Sequence, residues 1–264
     1  MNLQLQGKTA LITGATSGIG FAIAHALAAE GASIIINGRT DATVIAAKSR
    51  ILKDFPQAHI QGVAADLSSA EGVQVLLNKA PEVDMLINNL GIFDFKPFEQ
   101  IDDDEWLHFF QVNVMSGVRL ARHHLSRMKQ RNWGRIIFIS SESGICPPAE
   151  MVHYGMTKSA QLSISRSLAE SCAGTGVTVN AVLPGPTRTE GAEAAFARIA
   201  TESGKSLAET EVDFFAQARP TSILKRFIDP KEVASLVAYI CSPLSAATQG
   251  AALRVDGGVV RSII

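Results

Sequence analysis

The chain reads as a doubly wound α/β domain, a parallel sheet with helices on both faces, and three observations predict it. Short β-rich apolar runs alternate with longer helical patterns along most of its 264 residues. Those runs are apolar throughout rather than at every second position, as in strands covered on both faces. A glycine-rich turn also stands directly between the first run and the first helix, where α/β sheets carry their nucleotide sites.

The elements follow in order. Residues 8–13, Lys-Thr-Ala-Leu-Ile-Thr, form the first expected strand, and residues 19–30 the first helix, with Gly31 just past its end as a stop signal. A strand at 33–37, a helix at 41–55, a strand at 60–65, a helix at 70–79 and a strand at 84–87 continue the alternation. A long helix is expected from 103 to about 131. Its start carries Asp102, Asp103, Asp104 and Glu105, acids that favour the positive end of a helix dipole and need no bound cation. A strand at 135–140, a helix at 154–173, a strand at 178–183, a helix at 230–241 and a last strand at 252–255 complete the set. No linker, repeat or low-complexity tract divides the chain, so residues 1–264 read as one domain. Within it, residues 190–222 form a polar, Ala-rich helical insertion too long for a passive connection. It is expected to lie near the carboxyl ends of the strands as a substrate lid, with an oligomer contact as the alternative.

Composition removes several classes of function. The chain is long enough to bury one sizeable core, and although 47% of it is hydrophobic, no run approaches the roughly 18 apolar residues of a membrane span. Lys plus Arg number 24 against 25 Asp plus Glu, which leaves no basic excess for nucleic acid or an anionic membrane surface. The basic stretch 119–135 therefore reads as a solvated or intersubunit helix face. Adjacent His123 and His124 diverge on a helix and do not suit one metal, so no metal is expected. Cys146, Cys172 and Cys241 lack CxxC spacing and fit a reducing compartment, each as a buried small hydrophobe. The first eight residues lack the features of a secretory signal, and the cytoplasm is the expected location. Only two tyrosines are present, Tyr154 and Tyr239; the second, among Val237, Ala238 and Ile240, reads as packing.

The turn Thr13-Gly14-Ala15-Thr16-Ser17-Gly18-Ile19-Gly20 suits a dinucleotide phosphate. Its glycines allow a tight turn and close backbone approach, and the following helix offers unpaired N–H groups. Its spacing is GxxxGxG, not GxGxxG. Tyr154 and Lys158, four apart, share a helix face. An ammonium there stabilises phenolate, lowering a pKa that is ordinarily near 10, and makes the phenol a usable proton donor or acceptor. Ser141 or Ser140, at the end of the strand 135–140, can donate to a substrate oxygen.

These residues, with Asn88-Asn89-Leu90-Gly91, Asn113, Pro184-Gly185 and Val255-Asp256-Gly257-Gly258, occur in the order found in the short-chain dehydrogenase/reductase family, which the chain resembles over nearly its whole length. Leu90 departs from the usual alanine. The resemblance implies an NAD(P)-dependent oxidoreductase acting on a small-molecule carbonyl or secondary alcohol. It selects Ser141, thirteen residues before Tyr154, as the carbonyl-polarising serine, and makes Tyr154 the acid/base, Lys158 its partner and ribose anchor, and Asn113 the support of a proton relay. It assigns the cofactor to Gly14, Thr16, Ser17, Gly18, Ile19, Gly20, Asn89 and Gly91, to Asp66 and Leu67 at the adenine, and to Pro184, Gly185, Thr187 and Thr189 at the nicotinamide. At the end of the second strand, Gly38 takes the place of the acid that would bind a ribose 2′-hydroxyl, and Arg39 follows. The expectation is NADP(H), with Arg39 and Thr40 on the 2′-phosphate; NAD(H) use in an alcohol dehydrogenase, or a non-catalytic nicotinamide-binding regulator, are the alternatives. The substrate pocket is expected from residues 142–153 and the insertion, with Phe196, Phe214 and Phe215. By analogy the chain forms a homodimer or homotetramer through its last helix and strand and the apolar tail 259–264.

Overall fold

The computed structural model describes residues 2–263; Met1 of the amino-terminal segment and Ile264 of the expected tail lie outside them. Seven strands, β1 (Thr9–Ile12), β2 (Ser33–Gly38), β3 (Ile60–Ala64), β4 (Met85–Asn88), β5 (Gly134–Ile139), β6 (Val177–Pro184) and β7 (Ala252–Val255), form one sheet in the order β3-β2-β1-β4-β5-β6-β7. Every pairing is parallel. Alternation along the strands supplies both cores. Ala10 and Ile12 of β1, Ile34 and Ile36 of β2 and Ile137 and Ile139 of β5 enter one apolar layer; Leu11, Ile35, Ile136 and Phe138 enter the other. The inner strands β1, β2, β4, β5 and β6 therefore show no solvent-facing side, because their side chains are buried on one side of the sheet or the other. Burying each such side chain is worth about 1.5–3 kcal/mol.

The helices α1 (Gly18–Ala29) and α9 (Pro230–Cys241) pack together over the first layer, and α3 (Ala70–Lys79), α5 (Ser116–Gln130) and α6 (Val152–Glu170) cover the second. From β1 the chain winds outward through β2, α2 (Asp41–Asp54) and β3, then crosses back to β4 on the other side of β1. This reversal opens a crevice beyond the carboxyl ends of β1 and β4, onto which the loops after β5 and β6 also open.

The expected long helix at 103–131 is divided. A single wide turn, Gln111–Met115, with π-type hydrogen bonding, joins α4 (Asp103–Phe110) to α5 and carries Asn113. Such turns place one extra residue in a helix and occur often at functional sites. The insertion folds as two helices, α7 (Glu190–Ser203) and α8 (Leu207–Gln217). Phe196, Phe214 and Phe215 meet Phe227 in an aromatic cluster separate from the two main layers. Asp102 caps α4 by accepting from the Glu105 amide at 2.8 Å. Two expectations are corrected. Cys146 is exposed, because it falls in the loop after β5 rather than in a layer. Tyr239 is 39% exposed, because Val237, Ala238 and Ile240 occupy the inward positions of α9.

His124 on α5 is fully buried, and its ring nitrogens have no hydrogen-bond partner among the described residues. Burial, then the neighbouring His123, lowers its pKa from 6.5 to about 3. Below 6.5 the unfolded chain takes up a proton that the folded chain refuses, so this contribution to stability is complete above 6.5 and is lost as pH falls towards 3. The slope is about 1.4 kcal/mol per pH unit. In urea titrations across this range, His124→Leu is expected to flatten the acid loss of stability by about one proton's worth; an unchanged slope would remove His124 from the acid response.

Candidate active site

The glycine turn is held by hydrogen bonds between two loops. Asn89, after β4, donates from Nδ2 to the Thr13 carbonyl (2.9 Å) and the Gly14 carbonyl (3.1 Å). In return the Thr13 hydroxyl accepts from the Asn89 and Leu90 amides at 2.9 and 3.0 Å. Gly14 and Gly18 have φ of +60° and +55°, a region that disfavours other residues. A Cβ at Gly20 would lie 2.5 Å from the Gly14 carbonyl oxygen and 2.4 Å from Asn89 Nδ2. Ser17 stands at the cap of α1 without a side-chain cap bond, which leaves first-turn amides to the cleft. The Gly18 amide donates to Glu190 Oε2 at 2.8 Å, so a carboxylate from α7 already sits at this positive end.

Along the same wall lie Thr16, Ile19, Gly38 and Arg39. A Cβ on Gly38 would come 2.4 Å from the Thr16 methyl, leaving little room there for an acidic side chain. Arg39 is exposed at the rim beside Asp66. The Asp66 carboxyl is held below its usual range, first by the Ser68 amide and hydroxyl, with the Arg39 charge adding to them. Leu67, Gly91, Pro184, Gly185, Thr187 and Thr189 line the remainder. Thr40 lies outside this lining, its hydroxyl accepting from the Thr43 amide as the cap of α2.

On α6, Tyr154 faces the cleft and meets Phe93 edge to face at 6.3 Å. Lys158, one turn on, is buried; its Nζ donates to the Ile139 carbonyl (2.9 Å) and to Gln161 Oε1 (3.3 Å), and lies 5.4 Å from the centre of the Tyr154 ring. Asn113 lies beneath the cleft rather than on its wall. Its Oδ1 accepts from the Ile92 amide (2.8 Å), and its Nδ2 donates to the Ile92 carbonyl and the Thr157 hydroxyl, each at 3.0 Å. Gln161 Nε2 donates to the Asn113 carbonyl at 2.6 Å, so Gln161 joins Lys158 to Asn113. The two serines separate cleanly: Ser140 donates to the Lys158 carbonyl (2.9 Å), whereas Ser141 lines the cleft with Tyr154 and donates to Glu142.

Sequence reasoning passed over Gln161, and it placed Glu142 and Arg219 only within the stretches expected to form the substrate pocket, without singling them out. Glu142 is 5% exposed. It accepts the Ser141 hydroxyl hydrogen and, at 3.3 Å, the Nε–H of Arg219. A carboxylate directly after the serine was the available signal, but its partner lies 77 positions away. Burial raises the Tyr154 phenol above its ordinary range, Glu142 adds to this, and Ser141 and Arg219 oppose it. Lys158 is lowered to about 8 by burial, against the pull of Glu142. The expected lowering of the phenol by Lys158 is thus corrected, because the ammonium is directed at Ile139 and Gln161. A phenol held protonated is suited to donate to a carbonyl oxygen.

The cleft has a volume of about 510 Å³, within the usual range for cofactor sites. The glycine cradle and the side-chain-uncapped end of α1 fit the phosphates of a dinucleotide, and Tyr154, Lys158 and Ser141 stand at the other end. Residues 8–200 match the family model described as short chain dehydrogenase. The chain is 51% identical over 263 residues, and over the full length of both chains, to an uncharacterized oxidoreductase, YvaG, of Bacillus subtilis. It is 33% identical to the D-beta-hydroxybutyrate dehydrogenase of Cupriavidus necator, over 97% of this chain and 99% of that one. Among solved structures, the L-sorbose reductase of Gluconobacter frateurii, complexed with NADPH and L-sorbose, superposes with a TM-score of 0.93 at 28% identity and full coverage of both chains.

Gly20→Ala tests the cradle. The added methyl meets backbone, which cannot swing aside, so affinity for NADPH, read by quenching of protein fluorescence, is expected to fall by at least about tenfold. Unaltered affinity would show that the turn does not bind the cofactor.

Proposed function

The chain belongs to the short-chain dehydrogenase/reductase family, and on that premise we propose that it interconverts a carbonyl and a secondary alcohol with NADP(H), Tyr154 acting as acid and base. The observation that carries this reading is the meeting of Tyr154, Ser141 and Lys158 at one end of a cleft whose other end is the glycine cradle. A bound nicotinamide would supply or accept the hydride. Tyr154 gives its phenolic proton to the carbonyl oxygen, Ser141 donates to the same oxygen, and Lys158 uses a remaining N–H to anchor the ribose. Asn113 holds Lys158 through Gln161.

Gly14, Ser17, Gly18, Ile19 and Gly20 would hold the pyrophosphate, Asp66 and Leu67 the adenine, Asn89 and Gly91 the adjoining ribose face, and Pro184, Gly185, Thr187 and Thr189 the nicotinamide. The preference for NADP(H) rests on Gly38 and Arg39, with support from a structural relative that holds NADPH; Thr40 contributes less because its hydroxyl caps α2. The pair α7 and α8 is the lid of this site, since the bond from Gly18 to Glu190 must open before a phosphate can use that amide. A cytoplasmic homo-oligomer belongs to the same reading by family analogy.

Tyr154→Phe is expected to lower NADPH-dependent carbonyl reduction by at least about a hundredfold while NADPH still binds. Turnover near the wild-type rate with cofactor bound would refute the assignment. Arg39→Ala is expected to weaken NADPH by about tenfold or more and NADH by much less; equal losses would place Arg39 away from the 2′-phosphate. Lys158, with its pKa near 8, anchors as a cation, so kcat/KM for NADPH is expected to hold below that pH and to decline above it. A profile flat through this region would contradict the anchoring role.

A further inference from the structure

Glu142 lies between the reacting groups and the lid. Its Oε2 accepts the Ser141 hydroxyl hydrogen and its Oε1 the Arg219 Nε–H. Arg219, just past α8 and itself buried, also donates to Glu150 (3.3 Å) and to the Ala218 carbonyl (2.8 Å). Two carboxylates thus already answer its charge.

Ser141 has one hydroxyl hydrogen, and a carbonyl held for reduction needs it. Surrendering it leaves Glu142 Oε2 a buried carboxylate oxygen without that donor, an unfavourable state unless the substrate replaces what it took. A hydroxyl on the carbon next to the carbonyl can do so. The two oxygens of such a hydroxy ketone lie about as far apart as hydrogen-bonded hydroxyls, roughly 2.7 Å, and Ser141 Oγ and Glu142 Oε2 are themselves hydrogen-bonded neighbours. A plain alkyl ketone brings no donor. A keto acid brings a second negative charge to Glu142, with Arg219 already engaged.

Resting on the site's reading as a carbonyl reductase, we propose that Glu142, held by Arg219, determines specificity for α-hydroxy ketones by accepting the hydroxyl adjacent to the carbonyl. Reduction adds a hydride from the nicotinamide reductant to the carbonyl carbon and the Tyr154 proton to its oxygen. The product is a vicinal diol, and the adjacent hydroxyl is unchanged.

The test compares hydroxyacetone with methoxyacetone, which keeps the oxygen but loses the donor, and with butanone, which replaces the hydroxyl by methyl. In the wild type, kcat/KM with NADPH is expected to favour hydroxyacetone over each by at least about tenfold. In Glu142→Leu that ratio is expected to collapse, and in Glu142→Gln, which keeps an acceptor oxygen, to survive in part. Equal use of the three ketones by the wild type overturns the Glu142 proposal and leaves the reductase reading standing; reduction of none of them overturns both. A binding measurement separates the two readings further. NADPH-loaded Tyr154→Phe, followed by nicotinamide fluorescence, is expected to bind hydroxyacetone more tightly than methoxyacetone. Equal binding counts against Glu142, whereas persistent turnover in this variant counts against Tyr154 alone.

Discussion

The pair of hydrogen bonds from Asn89 to the carbonyls of Thr13 and Gly14, answered by those the Thr13 hydroxyl accepts from Asn89 and Leu90, holds the crevice in shape. Strands β1 and β4 are parallel neighbours in the sheet, and the Thr13 amide carries their pairing one residue past β1 by donating to the Ile87 carbonyl at 3.1 Å. A side-chain amide bridging the loops beyond them makes the glycine turn a rigid wall. Gly20 then follows from close approach, since any side chain at that position would strike the clamp. The amides of α1 acquire a defined direction for the same reason.

A second network lies at the other end of the cleft. Burying an ammonium is costly unless its donors are met. Lys158 meets two of them inside the protein, at Ile139 and Gln161, and Gln161 passes the restraint to the carbonyl of the wide turn at Asn113. That turn is anchored by the Asn113 side chain on Ile92 and Thr157. The irregularity in the helix and the buried cation therefore support each other. The remaining N–H of Lys158 is left for the cleft, and the side chain has little freedom to choose another partner.

The insertion is joined to both ends of the cleft. Glu190, at the start of α7, reaches the Gly18 amide, and Arg219, after α8, reaches Glu142 beside Ser141. The insertion is long and polar, yet its aromatic cluster of Phe196, Phe214, Phe215 and Phe227 gives it a small core of its own. Its fold therefore does not depend on those two polar contacts alone.

Much of this was legible in the residues. Strand and helix order followed from hydrophobic runs and their interruptions, because a strand buried on both faces and a helix with one apolar stripe leave different periodicities. The glycine turn, and the shared face of Tyr154 and Lys158, were legible because local geometry alone relates residues a few positions apart. Other features depended on distant partners. The wide turn at Asn113, the burial of His124 and the exposure of Tyr239 are set by what packs against each helix, which short-range spacing does not encode. Choosing Ser141 over Ser140 took family spacing before the two different hydrogen bonds were seen. The raised phenol and the contacts of Glu142 arise from a carboxylate, a phenol and a guanidinium brought together from separate stretches of chain. The sequence by itself determined the sheet, the glycine turn and the shared face of Tyr154 and Lys158; only the tertiary structure decided the burial and the partners of these groups, because electrostatics and burial depend on distance in space.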